Sequence, residues 1–276
     1  MNPKIAASLS SVLLLASICA SAGTLAGKAG PDLQRRFTTA GIKGTFVLLD
    51  ARTGRILRSD PERARTRFLP ASTFKIPNTL IALETGVASG PDFALSWNSK
   101  VAPREAWWPD SWARDHTLRT ALPASVVWFY QEIARRIGPQ RMRSWLERFD
   151  YGNRDISGGI DQFWLDGGLR ISPDEQVDFL RRFYFGKLPV SERSTRIVKD
   201  LLVLEETPAW RLSGKTGWAG SVRPQIGWLV GYLERGKDVY FFATNIEIQK
   251  DEDRNARRAI TKAILRDLGL IETPQP

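Results

Sequence analysis

Apolar residues follow two different spacings along the chain, and the strand-type runs lie at its two ends. Near the start, residues 44–50 are rich in β-branched and apolar side chains, and turn residues follow at 50–54. A second strand begins at Ile56-Leu57, so a hairpin is predicted. Near the end, three runs separated by short turns predict an antiparallel meander, at 210–216, 226–233 and 239–245.

Between these ends the apolar spacing is helical. Residues 126–137 and 142–149 each carry apolar side chains three and four apart, and a glycine and a proline separate the two predicted helices. Ser172 opens another helix with a capping box, and Ser191 is expected to cap one more. A last helix has one apolar face, formed by Ala256, Ala259, Ile260, Ala263, Ile264 and Leu268.

This order of elements predicts an α/β protein of the α+β type. We expect an antiparallel sheet flanked by terminal helices and interrupted by a mainly helical region. The sheet region with its C-terminal helix is expected at 23–68 and 205–276, and the helical region at 69–204. An active site is expected in the cleft between them.

The first 22 residues have the pattern of a secretory signal peptide, residues 1–22. Lys4 precedes a short apolar run at 12–16, and Ala20-Ser21-Ala22 supplies the small residues of a cleavage site. A retained membrane anchor is the alternative, but the run is short and interrupted by serines, and no later run predicts a membrane span. We therefore expect a periplasmic protein without a disulfide, because Cys19 is the only cysteine.

Composition narrows the possible functions. The 276 residues are 42% apolar and 25% charged, as in an ordinary globular protein, with a formal net charge of +10. Because no basic run exceeds a pair, the charge indicates a generic basic surface rather than a nucleic-acid site. The single histidine, His116, excludes a metal site with two or three histidines, and its surroundings are those of a helix entrance.

Ser72 and Lys75 are the first candidates for catalytic groups. Residues three apart lie on one face of a helix, so the hydroxyl and the amine are expected to be neighbours. Ser72 falls in the first turn, where backbone N–H groups lack partners. A nucleophile beside a nitrogen base, with a donor for an oxyanion, suits acyl transfer. Ser-x-x-Lys alone is common on solvated helices, so the prediction needs further motifs.

Three further motifs support this interpretation. Lys215-Thr216-Gly217 is expected at the end of a strand, where the glycine lets a ligand approach, the strand edge can pair with it, and the lysine supplies charge. Ser125-Val126-Val127 is expected at the start of a helix, and Tyr151-Gly152-Asn153 after a helix end. The order Ser72, Ser125, Lys215 is typical of penicillin-recognising serine enzymes.

Together these motifs resemble those of class D, oxacillinase-type β-lactamases. The matching segments are Pro-Ala-Ser-Thr-Phe-Lys (70–75), Ser-Val-Val (125–127), Tyr-Gly-Asn (151–153), Phe-Trp-Leu (163–165), Leu-Arg-Ile-Ser (169–172) and Lys-Thr-Gly-Trp (215–218). The likeness runs from the first hairpin to the C-terminal helix. No Ser-Asp-Asn triplet is present, which favours class D over class A. The resemblance implies a serine β-lactamase/penicillin-binding-protein fold.

The resemblance also implies roles for single residues. Ser72 would attack the lactam carbonyl and become acylated, with Lys75, carboxylated by carbon dioxide, as general base for acylation and deacylation. The indole of Trp164 would hydrogen-bond the carbamate, and Ser125 and Lys215 would relay a proton to the leaving nitrogen. The residues implied in lining the pocket or binding substrate are Val127, Thr216, Gly217, Trp218 and Arg257.

Some of these implications leave choices open. Arg258 is an alternative to Arg257 for the substrate carboxylate, because the choice depends on helix register. Trp218 stands where many relatives have phenylalanine, and Tyr130 where an apolar ring is usual. Both would reshape the pocket, so the preference among penicillins, oxacillin, cephalosporins and carbapenems is open.

The resulting expectation is a periplasmic enzyme that hydrolyses β-lactams. We expect carbon dioxide or bicarbonate to carboxylate Lys75, and we expect no metal and no other cofactor. No nucleic-acid partner is expected, and no membrane span after signal removal. A homodimer is left open. One alternative is a penicillin-binding sensor or transpeptidase that remains acylated. Another is a basic binding protein without enzymatic activity, which would not need Ser72.

Overall fold

The computed structural model describes residues 32–272, so the predicted signal peptide lies outside the described part of the chain. Eight strands occur in this range: β1 (Gly44–Asp50), β2 (Ile56–Arg58), β3 (Ala94–Leu95), β4 (His116–Thr117), β5 (Val203–Glu206), β6 (Arg211–Ala219), β7 (Gln225–Arg235) and β8 (Asp238–Ile248). Six of them form one antiparallel sheet in the order β2-β1-β8-β7-β6-β5. The short strands β3 and β4 pair separately.

The hairpin and the meander predicted from the sequence are confirmed. Strands β1 and β2 pair antiparallel, as do β6 with β7 and β7 with β8. The prediction that Lys215-Thr216-Gly217 ends a strand is wrong, because β6 continues to Ala219, which pairs with Ile226 of β7. Because glycine has a low strand propensity, the end of β6 was predicted too early, at Gly217.

Nine α-helices lie in the described residues: α1 (Gln34–Ala40), α2 (Pro61–Arg65), α3 (Lys75–Glu84), α4 (Leu118–Ala124), α5 (Val127–Ile137), α6 (Pro139–Phe149), α7 (Pro173–Tyr184), α8 (Glu192–Leu201) and α9 (Ala256–Asp267). The caps predicted at Ser172 and Ser191 are confirmed, since both hydroxyls accept a backbone N–H of the helix that follows. The short helices α1, α2 and α4 were not predicted from the spacing of apolar residues.

Ser125-Val126-Val127 leads into α5, as predicted, but Ser125 itself lies just before that helix. It lies between α4 and α5 in the left-handed backbone region, with φ of 61°. Its N–H caps α4 through the carbonyl of Leu122, and α5 starts two residues later, at Val127. The sequence hid this break because α4 contains Pro123 and lacks a clear apolar repeat.

Two apolar clusters lie on opposite faces of the sheet. One joins the sheet to α3, α5, α6 and α7, and the other joins it to α1 and α9. This layered arrangement confirms the α+β fold class. The proposed boundaries at 23–68, 69–204 and 205–276 stay a prediction. The helix α7, from the predicted helical region, packs directly on β1 and β8. No helix within residues 32–272 is long and apolar enough to cross a membrane.

Candidate active site

Ser72 lies in a 3₁₀ turn, Ala71–Phe74, that leads directly into α3. The Nζ of Lys75 is 2.8 Å from the Oγ of Ser72, so the two side chains expected to be neighbours are in hydrogen-bond contact. The turn is tighter than an α-helix, and Pro77 follows it inside the first turn of α3. Ser72 remains partly exposed, as a nucleophile must be.

Lys75 is completely buried, which is rare for an unpaired lysine. Burial lowers the pKa of its amine from 10.5 to about 7. The Nζ lies 5.4 Å from the centre of the Tyr130 ring, whose hydroxyl is 2.9 Å from the Oγ1 of Thr79. A large share of the amine is therefore neutral at neutral pH, and a neutral amine can act as a base or a nucleophile.

A second lysine and a second serine meet on the other side of the site. The Nζ of Lys215, on β6, donates to the Oγ of Ser125 at 2.9 Å and to the carbonyl of Thr216 at 2.9 Å. Burial, together with the charges of Lys75 and Arg257, holds the pKa of Lys215 well below its usual range. The structure thus brings together two Ser–Lys pairs from separate parts of the chain.

Trp164 is completely buried beside the nucleophile turn. Its ring stacks on Phe74 with centroids 5.3 Å apart, and Phe163 packs edge-on against both. The indole Nε1 of Trp164 is buried and has no hydrogen-bond partner among the described residues. Because an unpaired buried donor is costly, this N–H suits a bound anion as its acceptor.

Val127 and Leu165 provide apolar surface at the site. Val127 is buried at the start of α5, two residues after Ser125. Leu165 is partly buried next to Trp164, and its carbonyl accepts a hydrogen bond from Ser221 at 3.1 Å. Both belong to or pack against the apolar cluster that contains Phe74.

Gly217 lies where β6 approaches the nucleophile turn. A Cβ atom at this position would be 2.9 Å from the carbonyl oxygen of Pro70 and 3.1 Å from the Cγ2 of Thr73. The glycine is therefore required by the close approach of two backbone segments, besides any role in admitting a ligand. Thr216 precedes it and is partly exposed.

Arg257, rather than Arg258, contacts the backbone of Gly217 in β6. Its Nη1 donates to the carbonyl of Gly217 at 3.0 Å, whereas Arg258 is exposed. Burial and the neighbouring charges of Arg258 and Arg254 lower the pKa of Arg257 to about 10, so it stays cationic at neutral pH. Trp218 is partly exposed, with Arg254 stacked 3.8 Å above its ring.

His116 and the tryptophans of the loop before α4 have packing roles. The ring nitrogens of His116 contact the Oγ1 of Thr120 at 3.0 Å and the carbonyl of Ser111 at 2.9 Å. Trp107, Trp108 and Trp112 pack on one another, with centroids 5.4 to 6.2 Å apart. Trp112 also donates to the carbonyl of Ala124, which anchors this loop next to Ser125.

Residues around the nucleophile turn were missed at the level of sequence. Thr73 and Gln176 form a buried hydrogen bond of 2.8 Å, although 103 positions separate them. The Nε1 of Trp228 donates to the carbonyl of Leu69 at 2.8 Å. A glutamine on the apolar face of α7 was the one available signal, because such a residue requires a buried partner.

Known proteins resemble this chain over most of its length. A profile of the penicillin-binding protein transpeptidase domain matches residues 44–268. The β-lactamase OXA-48 of Klebsiella pneumoniae is 42% identical, covering 95% of this chain and 98% of the relative. The β-lactamase OXA-10 of Pseudomonas aeruginosa is 40% identical, covering 92% and 95%.

Solved structures give the same picture. The class D β-lactamase YbXI from Nostoc has a TM-score of 0.83 and 44% identity, covering 87% of this chain and 99% of that one. FUS-1 (OXA-85), a class D β-lactamase from Fusobacterium nucleatum subsp. polymorphum, has a TM-score of 0.83 and 37% identity, covering 87% and 98%.

Proposed function

The chain belongs to the class D serine β-lactamases, and we propose that it hydrolyses its β-lactam substrates through an ester on Ser72, with a carboxylated Lys75 as general base. The observation that carries this proposal is the 2.8 Å contact between the Oγ of Ser72 and the Nζ of a completely buried Lys75. A base in hydrogen-bond contact with a hydroxyl can remove its proton during attack.

Three features of the site suit a carboxylated lysine. The lowered pKa of Lys75 leaves neutral amine to add carbon dioxide, the apolar surroundings exclude water, and the unpaired N–H of Trp164 offers a donor to an anion. When present, the carbamate would supply an anionic base for the hydroxyl of Ser72 and later for water. The donor at Trp164 would hold that base in a fixed orientation.

Ring opening needs a proton at the nitrogen that leaves. As Ser72 bonds to the carbonyl carbon and the C–N bond breaks, we propose that the hydroxyl of Ser125 protonates that nitrogen. Lys215 contacts Ser125 at 2.9 Å and can replace the proton. We assign the oxyanion to the backbone N–H groups of Ser72 and Trp218, each worth about 3 kcal/mol.

Arg257 and Thr216 are proposed to bind the substrate carboxylate. Arg257 stays cationic and reaches β6 through the carbonyl of Gly217. Thr216 is partly exposed on the same strand. Charge-assisted hydrogen bonds from both would orient the lactam ring across the turn that carries Ser72, with Val127 forming one apolar wall.

Turnover of a chromogenic cephalosporin tests the proposal. We expect many molecules of product for each molecule of enzyme. A single stoichiometric burst followed by no further product would instead support a penicillin-binding sensor or transpeptidase that remains acylated. Intact-mass spectrometry during the reaction distinguishes the two, because only the sensor accumulates a permanent adduct.

Activity is expected to depend on bicarbonate below about pH 7. As the pH falls through the lowered pKa of Lys75, the free amine takes up a proton and no longer adds carbon dioxide. Removing bicarbonate at pH 6 should therefore lower kcat, and adding it back should restore kcat. Steady-state rates measured at pH 6 and pH 8, with and without bicarbonate, check this. Equal rates under all four conditions would count against a carbamate.

The variant Trp164→Phe is expected to slow deacylation by about 10- to 100-fold and to accumulate acyl-enzyme. Phenylalanine keeps the stacking on Phe74 but removes the N–H that would hold the base. Trp145→Phe, on α6, makes the same chemical change outside the site. Single-turnover kinetics of both variants provide the measurement, and fast deacylation in Trp164→Phe would refute the role given to its indole.

Export to the periplasm and a possible homodimer stay predictions. The proposed signal peptide, residues 1–22, lies outside the described residues. Within residues 32–272, no helix is long and apolar enough to span a membrane.

A further inference from the structure

We infer that Gln176, on α7, is a positioning residue for the nucleophile and acts through Thr73 on the turn that carries Ser72. The inference rests on the proposed function, because it takes Ser72 as the nucleophile. Gln176 is 1% exposed and lies outside the motifs that place the catalytic groups. The role of Gln176 follows from the backbone conformation of the turn, Ala71–Phe74.

The turn holds a strained residue immediately before the nucleophile. Ala71 has φ of 47°, in the left-handed backbone region, which is unfavourable for residues other than glycine. It is completely buried. A relaxation of Ala71 to negative φ would rotate the peptide that enters Ser72 and move its Oγ away from the Nζ of Lys75. Such strain persists only where surrounding contacts enforce it.

Those contacts form a chain of hydrogen bonds that spans the strained residue. The Nε2 of Gln176 donates to the Oγ1 of Thr73 at 2.8 Å. The same Oγ1 donates to the carbonyl of Pro70 at 2.8 Å, and the backbone N–H of Thr73 donates to that carbonyl at 3.1 Å. The residues on either side of Ala71 and Ser72 are therefore tied together, and Gln176 fixes the hydroxyl that ties them.

The helix α7, from which Gln176 donates the first of these hydrogen bonds, is itself held in place at several points. α7 begins with a reciprocal capping box between Ser172 and Glu175, and it packs on β1 and β8. On the other side of the turn, the indole of Trp228 in β7 holds the carbonyl of Leu69 at 2.8 Å. The turn is thus held from both α7 and the sheet. A buried amide costs free energy unless it is bonded, so an apolar residue would serve α7 better if packing were its only role.

Pre-steady-state acylation by a chromogenic cephalosporin tests the inference. Gln176→Met keeps the approximate volume and removes the donor. We expect its acylation rate per folded molecule to fall about 10- to 100-fold, as for a nucleophile displaced by about 1 Å. Thr73→Val should give a similar loss, and the double variant should lose little more, because both act through one hydroxyl. Val177→Ala, the neighbouring position on α7, should lower Tm without changing this rate.

Ala71→Gly separates positioning from stability. Glycine adopts positive φ without the cost that alanine carries, so adding this change to Gln176→Met should restore the acylation rate about fivefold. A structural role alone would lower Tm and leave the rate unchanged. The inference is overturned if Gln176→Met acylates at the wild-type rate, or if Ala71→Gly restores nothing. Hydrolysis that survives Ser72→Ala would instead overturn the proposed function.

Discussion

Replacing Ser72 with alanine is expected to abolish β-lactam hydrolysis, with kcat falling by about 10⁴-fold or more. Ser72 is the hydroxyl in contact with Lys75, and the ester cannot form without it. Steady-state hydrolysis of a chromogenic cephalosporin measures the rate. Intact-mass spectrometry with a slowly hydrolysed β-lactam checks that the adduct found on the wild type is absent.

Ser191→Ala provides the matched control for this variant. The hydroxyl of Ser191 caps α8 and lies outside the site. Its loss should cost about 1 kcal/mol of stability and leave kcat unchanged. Substantial hydrolysis by Ser72→Ala would mean that another group is the nucleophile.

Replacing Lys75 with methionine is expected to have the second largest effect, a fall in kcat of about 10⁴-fold. Methionine fills similar space but removes the amine that contacts the Oγ of Ser72. Lys199→Met is a suitable control, because the side chain of Lys199 is partly buried over the ring of Tyr184 and lies outside the site. Hydrolysis by Lys75→Met within tenfold of the wild-type rate would contradict the assigned role.

The same variant is expected to be more stable than the wild type in bicarbonate-free buffer. The folded-state pKa of Lys75, about 7, lies below the ordinary value of 10.5, so the folded protein pays for removing the proton or burying the charge. This penalty is largest below pH 7 and disappears above pH 10.5. The gain in free energy of unfolding should therefore be greater at pH 6 than at pH 9, which thermal unfolding at both values measures.

Local signals predicted the parts of the fold and site that depend on neighbouring residues. The contact between Ser72 and Lys75 follows from a spacing of three positions, and the caps at Ser172 and Ser191 follow from side chains next to their own helix ends. Turn residues likewise located the first hairpin. These features need no information about distant segments.

Contacts between distant segments were beyond such reasoning. Lys215 and Ser125 are 90 positions apart, and only packing of β6 against the junction of α4 and α5 brings them together. The pairing of Gln176 with Thr73 depends in the same way on the placement of α7. The resemblance to a known family identified Ser125 and Lys215 as partners, whereas nothing in the sequence identified the pair of Gln176 and Thr73.

Helix register could not be predicted from the sequence either. Arg257 and Arg258 are adjacent in sequence and differ by about 100° around α9. The structure places Arg257 against the carbonyl of Gly217 and leaves Arg258 exposed. The role of Arg257 in binding the substrate carboxylate stays a prediction.

A ¹³C NMR spectrum of the enzyme equilibrated with ¹³C-bicarbonate tests the central claim most directly. We predict one resonance from a protein-bound carbamate at pH 8, which weakens on acidification and is absent from Lys75→Met. A fully active wild-type enzyme without this resonance under the same conditions would contradict the account, as would a resonance that persists in Lys75→Met.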